Sequence, residues 1–489
     1  MAATTATDFE TIIGLEVHAQ LLTRSKMYCG CSAAYADALP NTHVCPVCLG
    51  LPGAMPVINR SAIEIVLRTG LALNCSTPNF SKLDRKNYVY PDLPKGYQIS
   101  QYDLPLCVGG YLEFESQRCV RHAGITRVHI EEDTGRLVHR VDANGRDISL
   151  VDLNRSGVPL MEIVGEPDIH SPEEARDFLI ALRQLLRYIG ASTGNMEEGA
   201  FRCDANISVR SRDGDIVGSK VEIKNMNSFR SVERALRHEE QRQRNVLASG
   251  GAVPQETRGW LEGRGVTASQ RTKERAHDYR YFPEPDLPPL AVSDELVERM
   301  QSTMTELPAA RRERMEQQFE LSRADAATLT LERNVADYFE EAVRANPSPD
   351  RARTVANWII NGLFALQRTR GLPDDQMPLT VAQLQDLIEA VGNGELTPRA
   401  AKELLPQLND GEMPRAAAKR LNLLSLTDSD AISVAVKETM AAYPDAVRDF
   451  RSGKTAAIGR LIGESIRKTG GRAKPDDVRK ALEEALKAE

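Results

Sequence analysis

Acidic and imidazole side chains recur at every second position in several short segments, and that combination can hold a divalent cation. In Gly14-Leu15-Glu16-Val17-His18 the period of two turns Leu15 and Val17 to one face of a strand and Glu16 and His18 to the other. Val128-His129-Ile130-Glu131-Glu132-Asp133 supplies further carboxylates, and Arg202-Cys203-Asp204-Ala205-Asn206 sets Arg202, Asp204 and Asn206 opposite Cys203 and Ala205. Glu162 stands alone in the apolar run Leu160-Met161-Glu162-Ile163-Val164, where an unpaired charge is costly and needs a partner. Any one of these strands could simply show polar residues to water. Together they gather Glu, Asp and His rather than the Thr, Ser and Lys of solvated strands, which points to Mg²⁺ held beside phosphates. Alternation groups Glu131 with His129, and a bulge would bring in Glu132 instead, so both are candidate ligands.

The opposite charge lies in the segment from Lys82 to Gln98, where Lys82, Arg85, Lys86 and Lys95 interleave with Tyr88, Tyr90 and Tyr97. Four of the 12 tyrosines fall between Tyr88 and Tyr102, a pattern suited to clamping phosphates and stacking on a base or a tRNA terminus, or else to pinning a surface loop. Lys224 and Asn225 form a weaker set of the same kind. A second metal signal is Cys29-x-Cys31 followed, after a loop, by Cys45-x-x-Cys48, the knuckle spacing of a four-thiolate zinc site. Four protein ligands leave no open position, so that site is expected to be structural; His43 reads as a loop residue rather than a fifth ligand. The sequence holds no G-x-x-x-x-G-K-[ST] and no H-E-x-x-H, so a nucleotide would sit on a sheet rather than in a Walker loop.

The elements that must position these residues follow from the pattern of the whole chain. Its 489 residues, 41% of them hydrophobic, exceed what one core accommodates, so several domains are expected. With 62 basic and 69 acidic side chains the net charge is −7, which excludes a chain-wide positive field and confines any RNA contact to local patches. No apolar run spans a bilayer and Met1 to Val17 has no basic start followed by an apolar core, so the chain is expected to be cytoplasmic, with no membrane partner. Alternating strands and a few helices fill the chain up to the proline cluster Pro283, Pro285, Pro288 and Pro289; helical periodicity dominates from Val292 onward. The expected fold is α+β: an antiparallel-sheet domain over 1–291 with one wet face, an all-α domain over 292–408 and a small all-α tail over 409–489. Ser171-Pro172-Glu173-Glu174 predicts a helix start, with Gly190 as its end, and a second helix is predicted from Ser231 to Ala248. Further helices are predicted at Asp294–Met304, Asn334–Arg344, Arg353–Arg368, Val381–Ala390 and Asp476–Lys487. Between Arg448 and Lys480 ten basic residues stand against four acidic ones, the clearest basic region of the chain.

Long motifs within these segments resemble one family. Ile13-Gly14-Leu15-Glu16-Val17-His18, Asp84-Arg85-Lys86-Asn87-Tyr88, Tyr90 to Gln101, Val151-Asp152-Leu153-Asn154-Arg155, Met196-Glu197-Glu198-Gly199, Arg202 to Asn206 and Asp278-Tyr279-Arg280-Tyr281-Phe282-Pro283-Glu284-Pro285-Asp286 are similar to the B subunits of aspartyl/glutamyl-tRNA amidotransferases. The resemblance implies a catalytic cradle akin to glutamine synthetase and guanidino kinases, a helical domain and a YqeY-like tail. It implies a glutamine-dependent carbon–nitrogen ligase in which ATP phosphorylates the side-chain carboxylate of Glu-tRNA(Gln) or Asp-tRNA(Asn) and ammonia then displaces phosphate. A partner amidase (glutaminase) would supply the ammonia, and a small third protein would complete a heterotrimer. On this expectation Glu16, His18, Glu131 or Glu132, and Glu162 hold Mg²⁺, Asp204 joins the metal shell or moves protons, and Lys86 and Lys95 stabilise charge or guide ammonia. The nucleotide contacts expected are Lys86, Tyr88, Lys95, Arg202 and Lys224; the structural zinc is on Cys29, Cys31, Cys45 and Cys48; Arg451, Lys454, Arg467, Lys468 and Arg472 grip tRNA. The competing expectations are a zinc-containing RNA-binding protein without enzymatic activity and a free-standing kinase of small carboxylates.

Overall fold

The computed structural model describes residues 9–213, 217–272, 276–425, 429–452, 454 and 456–488. These fall into two compact units, up to Leu307 and from Pro308 onward. The strand Phe9–Gln20 lies inside a nine-stranded sheet because it alternates strictly: Ile13, Leu15, Val17 and Ala19 are buried, with Glu16 and His18 between them. Across that sheet the order is Val266–Thr272, Glu256–Leu261, Val221–Lys224, Phe201–Ser211, Phe9–Gln20, Pro159–Gly165, Cys119–Glu132 and Cys107–Val108, with Tyr111–Ser116 also paired to Cys119–Glu132. All of these pairings are antiparallel except that of Val221–Lys224 with Glu256–Leu261.

Two long helices put their apolar stripes into the same core as Ile13, Leu15 and Val17. Pro172–Tyr188 begins where the Ser171 side chain accepts from the Glu174 N–H at 3.1 Å and stops before Gly190, whose φ of +69° suits a residue without Cβ. It buries Phe178, Leu179, Leu182 and Leu186; Phe229–Ala248 buries Val232, Ala235 and Leu236. Each large side chain of this kind contributes about 1.5–3 kcal/mol on full burial. That core fixes the pleat and therefore the direction in which Glu16, His18 and Glu162 point.

The polar face of the sheet is not the open wet surface expected from alternation. A small sheet of Phe282–Pro283, Asp84–Asn87 and Tyr97–Ser100 packs beside it, and His129, Glu131, Glu132, Asp133 and Glu162 are all buried. The proline cluster takes part in this layer: Phe282 and Pro283 pair with Arg85 and Asp84, and Leu290–Ala291 pairs with Phe80–Ser81. The helix Asp294–Ser302 also belongs to the first unit, where Leu296 and Val297 pack on its core and Arg299 meets Glu64 at 3.8 Å.

The second unit is helical and holds two cores, one from Met315 to Ala418 and one from Ile432 to Leu482. The single helix expected over Arg353–Arg368 is interrupted: Pro349–Trp358 passes through a π turn at Ile359–Leu363 into Phe364–Thr369. Among the described residues no helix is long and apolar enough to cross a membrane. The whole is a mixed α/β chain with a large sheet and many helices.

Candidate functional site

Strand register assembles the site. His129, Glu162, His18 and Arg202 are direct cross-strand neighbours, so one row of four polar side chains crosses four adjacent strands on one face. The next row toward the strand ends brings in Glu131. Within it His18 Nε2 lies 3.5 Å from Glu162 Oε2 and 3.7 Å from Glu131 Oε2, and His129 Nε2 lies 3.2 Å from Glu162 and 3.6 Å from Glu131. One ligand atom each from His18, Glu131 and Glu162 fall within 4.8 Å of one another. Ligands of an octahedral Mg²⁺ with bonds of about 2.1 Å stand roughly 3–4 Å apart, so the set fits that ion with little movement.

The electrostatics suit a cation. Burial pulls the His18 and His129 pKa values down, but the Glu162 and Glu131 carboxylates outweigh it; His18 ends above its usual value and His129 at about 8. Burial pushes Glu162 up, yet His129 and His18 hold it well below the ordinary carboxylate range, and Glu131 is lowered against burial by Lys86 and the imidazoles. Two carboxylates are thus kept ionised in a dry place by cationic neighbours that a metal could replace.

The layer above fixes Glu131. Ser100 Oγ donates to it at 2.8 Å and Gln98 Nε2 at 3.3 Å, while Lys86 Nζ stands 3.6 Å away. Glu132 points elsewhere: it pairs with Lys95 and accepts the Ile99 N–H at 2.9 Å, beside a cavity of about 80 Å³ lined in part by Tyr28, Cys48, Lys95 and Tyr97. The Tyr28 hydroxyl is buried there without a hydrogen-bond partner among the described residues. Glu16 stands one pleat from His18 and accepts from Asn206 Nδ2 at 2.9 Å, outside the three-ligand group. Asp204, its neighbour across the strands, pairs with Lys224. Arg202 is anchored at 2.7 Å by Asp133, which Gln20 and Arg155 also hold. Tyr88 donates to Gln98 at 3.1 Å.

Cys29, Cys31, Cys45 and Cys48 come together with all four sulfurs within 4.8 Å, and Cys45 and Cys48 Sγ are 3.8 Å apart. Tetrahedral zinc with bonds of about 2.3 Å requires sulfurs roughly 3.8 Å apart, so the donor set fits. Hydrogen bonding from Cys29 holds Cys48 down at about 4, while burial pushes Cys31 up to about 11. Lys26, 1% exposed, donates to the His43 carbonyl at 2.8 Å and puts its charge beside Cys48, and His43 itself is outside the cluster.

In the second unit the tail cations lie on helices and turns. Lys454 pairs with Asp449, Arg467 with Glu464 and Lys468 with Glu438, at 2.9, 2.9 and 3.1 Å; Arg451 is exposed, and Arg472 donates to Asn422. Sequence reasoning missed His129 as a site residue, Ser100, and the ring pair Tyr279 and Tyr281. Alternation could not have paired the two rings, because Tyr279 ends a 3-10 turn and Arg280 between them has φ +45°.

The fold and site define a GatB/GatE-type catalytic chain: residues 11–298 match the GatB/GatE catalytic domain, and residues 337–486 match the GatB domain. The chain is 58% identical to the B subunit of the aspartyl/glutamyl-tRNA(Asn/Gln) amidotransferase of Thermomicrobium roseum, covering 98% of this chain and 99% of the relative. It is 50% identical to that of Moorella thermoacetica, covering 98% and 100%, and 48% identical to one from Dehalococcoides mccartyi, covering 98% and 99%. The chain belongs to the B-subunit family of the aspartyl/glutamyl-tRNA(Asn/Gln) amidotransferases and is one component of a carbon–nitrogen ligase. A non-enzymatic RNA-binding role is not favoured by this membership.

Proposed function

We propose that the first unit phosphorylates the side-chain carboxylate of Glu-tRNA(Gln), Asp-tRNA(Asn) or both with ATP, and that ammonia then attacks the acyl phosphate. The observation that carries this reading is the His18, Glu131 and Glu162 group, brought together by three adjacent strands in a chain of this family. A carboxylate is a poor acyl donor because oxide would have to leave. Transfer of the γ-phosphoryl group to a carboxylate oxygen releases ADP and converts that oxygen into part of a good leaving group. Attack of ammonia on the acyl carbon then forms the amide, expels inorganic phosphate and gives up one proton.

His18, Glu131 and Glu162 would hold Mg²⁺, and Glu16 and Asp204, register partners one pleat along from His18, would add negative charge on the same face. When bound, the ion neutralises phosphate charge. Lys86, positioned against Glu131, stabilises negative charge on the transferring group. Arg202 and Lys224, fixed by Asp133 and Asp204, orient phosphates, and Tyr88, hydrogen-bonded to Gln98, is a further nucleotide contact. Lys95 and Glu132, in the small cavity, stand where ammonia would enter.

The fold reading is a cradle like that of glutamine synthetase, then a helical domain and a YqeY-like tail, whose cations grip tRNA. Ammonia comes from a partner amidase (glutaminase), and a small third protein joins the pair to make a heterotrimer. The four cysteines hold a structural zinc. Reconstitution with the partner proteins, ATP, glutamine and each misacylated tRNA tests the reading: amide formation that consumes ATP and requires tRNA is expected, whereas ATP hydrolysis indifferent to tRNA would contradict it.

A further inference from the structure

The small sheet beside the metal-ligand cluster carries a file of aromatic rings contributed by segments far apart in sequence. Tyr102 stacks on Tyr281 with centroids 4.5 Å apart and planes 11° from parallel. Tyr281 meets Tyr279 edge-on at 6.2 Å, and Tyr279 meets Tyr88 at 6.0 Å. At the inner end Lys86 Nζ stands 5.2 Å over the Tyr279 ring and 3.6 Å from Glu131. At the outer end Tyr102 is 46% exposed. Arg280, between the two inner tyrosines, has φ +45°, a conformation costly for a side chain with a Cβ. A surface pin would need neither that strain nor a stacked ring facing solvent. The file therefore leads from open surface to the cation beside the candidate reacting centre.

We propose that Tyr102 and Tyr281 form the stacking platform for the single-stranded 3′ end of the aminoacyl-tRNA. On the proposed amidation reading, on which this inference rests, the platform hands the ester-linked amino acid to Lys86 and the His18, Glu131 and Glu162 group. Three features favour an RNA end over the adenine of ATP. The platform opens to the surface, where a polymer can enter. Its outermost ring, Tyr102, is backed by the parallel ring of Tyr281, which presents one braced face to an unpaired terminal base. The cation over the Tyr279 ring, Lys86, points inward to Glu131, where the amino acid's carboxylate must arrive.

The test uses the complete reconstituted amidotransferase with Tyr102→Ala and Tyr102→Phe, measuring kcat and KM separately for aminoacyl-tRNA and for ATP. Tyr102 is exposed, so its loss leaves the core intact. The alanine variant is expected to raise KM for aminoacyl-tRNA by about tenfold, with KM for ATP held and the phenylalanine variant close to wild type. An unchanged KM for aminoacyl-tRNA in the alanine variant, or a rise confined to ATP, overturns the platform while amidation by the wild type leaves the proposed function standing. Failure of the wild type to amidate either tRNA overturns both.

Discussion

Glu162 and His18 are register partners on adjacent antiparallel strands, and their Oε2 and Nε2 atoms lie 3.5 Å apart. That pairing explains why an isolated acid survives in the run Pro159–Gly165. Its charge is met by His18 on one side and His129 on the other, so an otherwise costly burial becomes a prepared cation site.

Glu162→Gln and His18→Ala should each lower amide formation by at least about a hundredfold in kcat, because the lost group helps place charge in the transition state. Glutamine hydrolysis by the partner should persist at least in part. Thermal melts alongside the rates separate this from misfolding. Full amidation in both variants would remove the metal-site assignment.

His129 at about 8, against a usual 6.5, gives a signed pH dependence. Its folded pKa is raised, so it contributes stability that is complete below about 6.5 and lost as pH rises through about 8, on the order of 2 kcal/mol in the metal-free protein. Mg²⁺ competes with those protons. Its apparent affinity should therefore strengthen from pH 6.5 to above 8, with protons released on binding, as calorimetry in buffers of different ionisation enthalpy would register. A pH-independent affinity over that range would contradict the assignment of this cluster.

How much of this was legible in the sequence differs from element to element. The period of two in Ile13–His18 gave the faces of that strand correctly, and Ser171 and Gly190 marked both ends of their helix, since caps act within one turn. Alternation favoured Glu131 over Glu132 beside His129, as found, but could not show where Glu132 goes, because its partner Lys95 comes from another layer. The burial of the polar face was illegible for the same reason: the strands that cover it are four residues or fewer, and one of them, Asp84–Asn87, pairs with Phe282–Pro283 far along the chain. Periodicity carries no information about such contacts. It read the proline cluster as a break; Pro283 ends the short strand Phe282–Pro283 and Pro289 directly precedes Leu290–Ala291.

Protein purified without chelator should carry about one zinc per chain, and Cys45→Ser with Cys48→Ser should abolish it and lower the melting temperature by several degrees. Elemental analysis decides the point. Zinc-free wild type of full stability would show that the four thiols need no metal.

A tail deletion should be made after Ser425, because Ala417 and Ala418 belong to the preceding core. If Arg451, Lys454, Arg467, Lys468 and Arg472 meet phosphates, the shortened protein should bind tRNA more weakly. The slope of log affinity against log salt should flatten by roughly 0.7–0.9 per lost contact. KM for tRNA should rise far more than kcat falls. An unaltered affinity and slope would make this face solvated surface.

The central claim is that the side-chain carboxylate is phosphorylated before it is amidated. Its most direct test is to charge tRNA(Gln) with glutamate labelled with ¹⁸O at both oxygens of the side-chain carboxylate, run one turnover with the complete enzyme, and analyse the inorganic phosphate by mass spectrometry. The account predicts one ¹⁸O in each phosphate released with amide formation. Amide formed with label-free phosphate would contradict it.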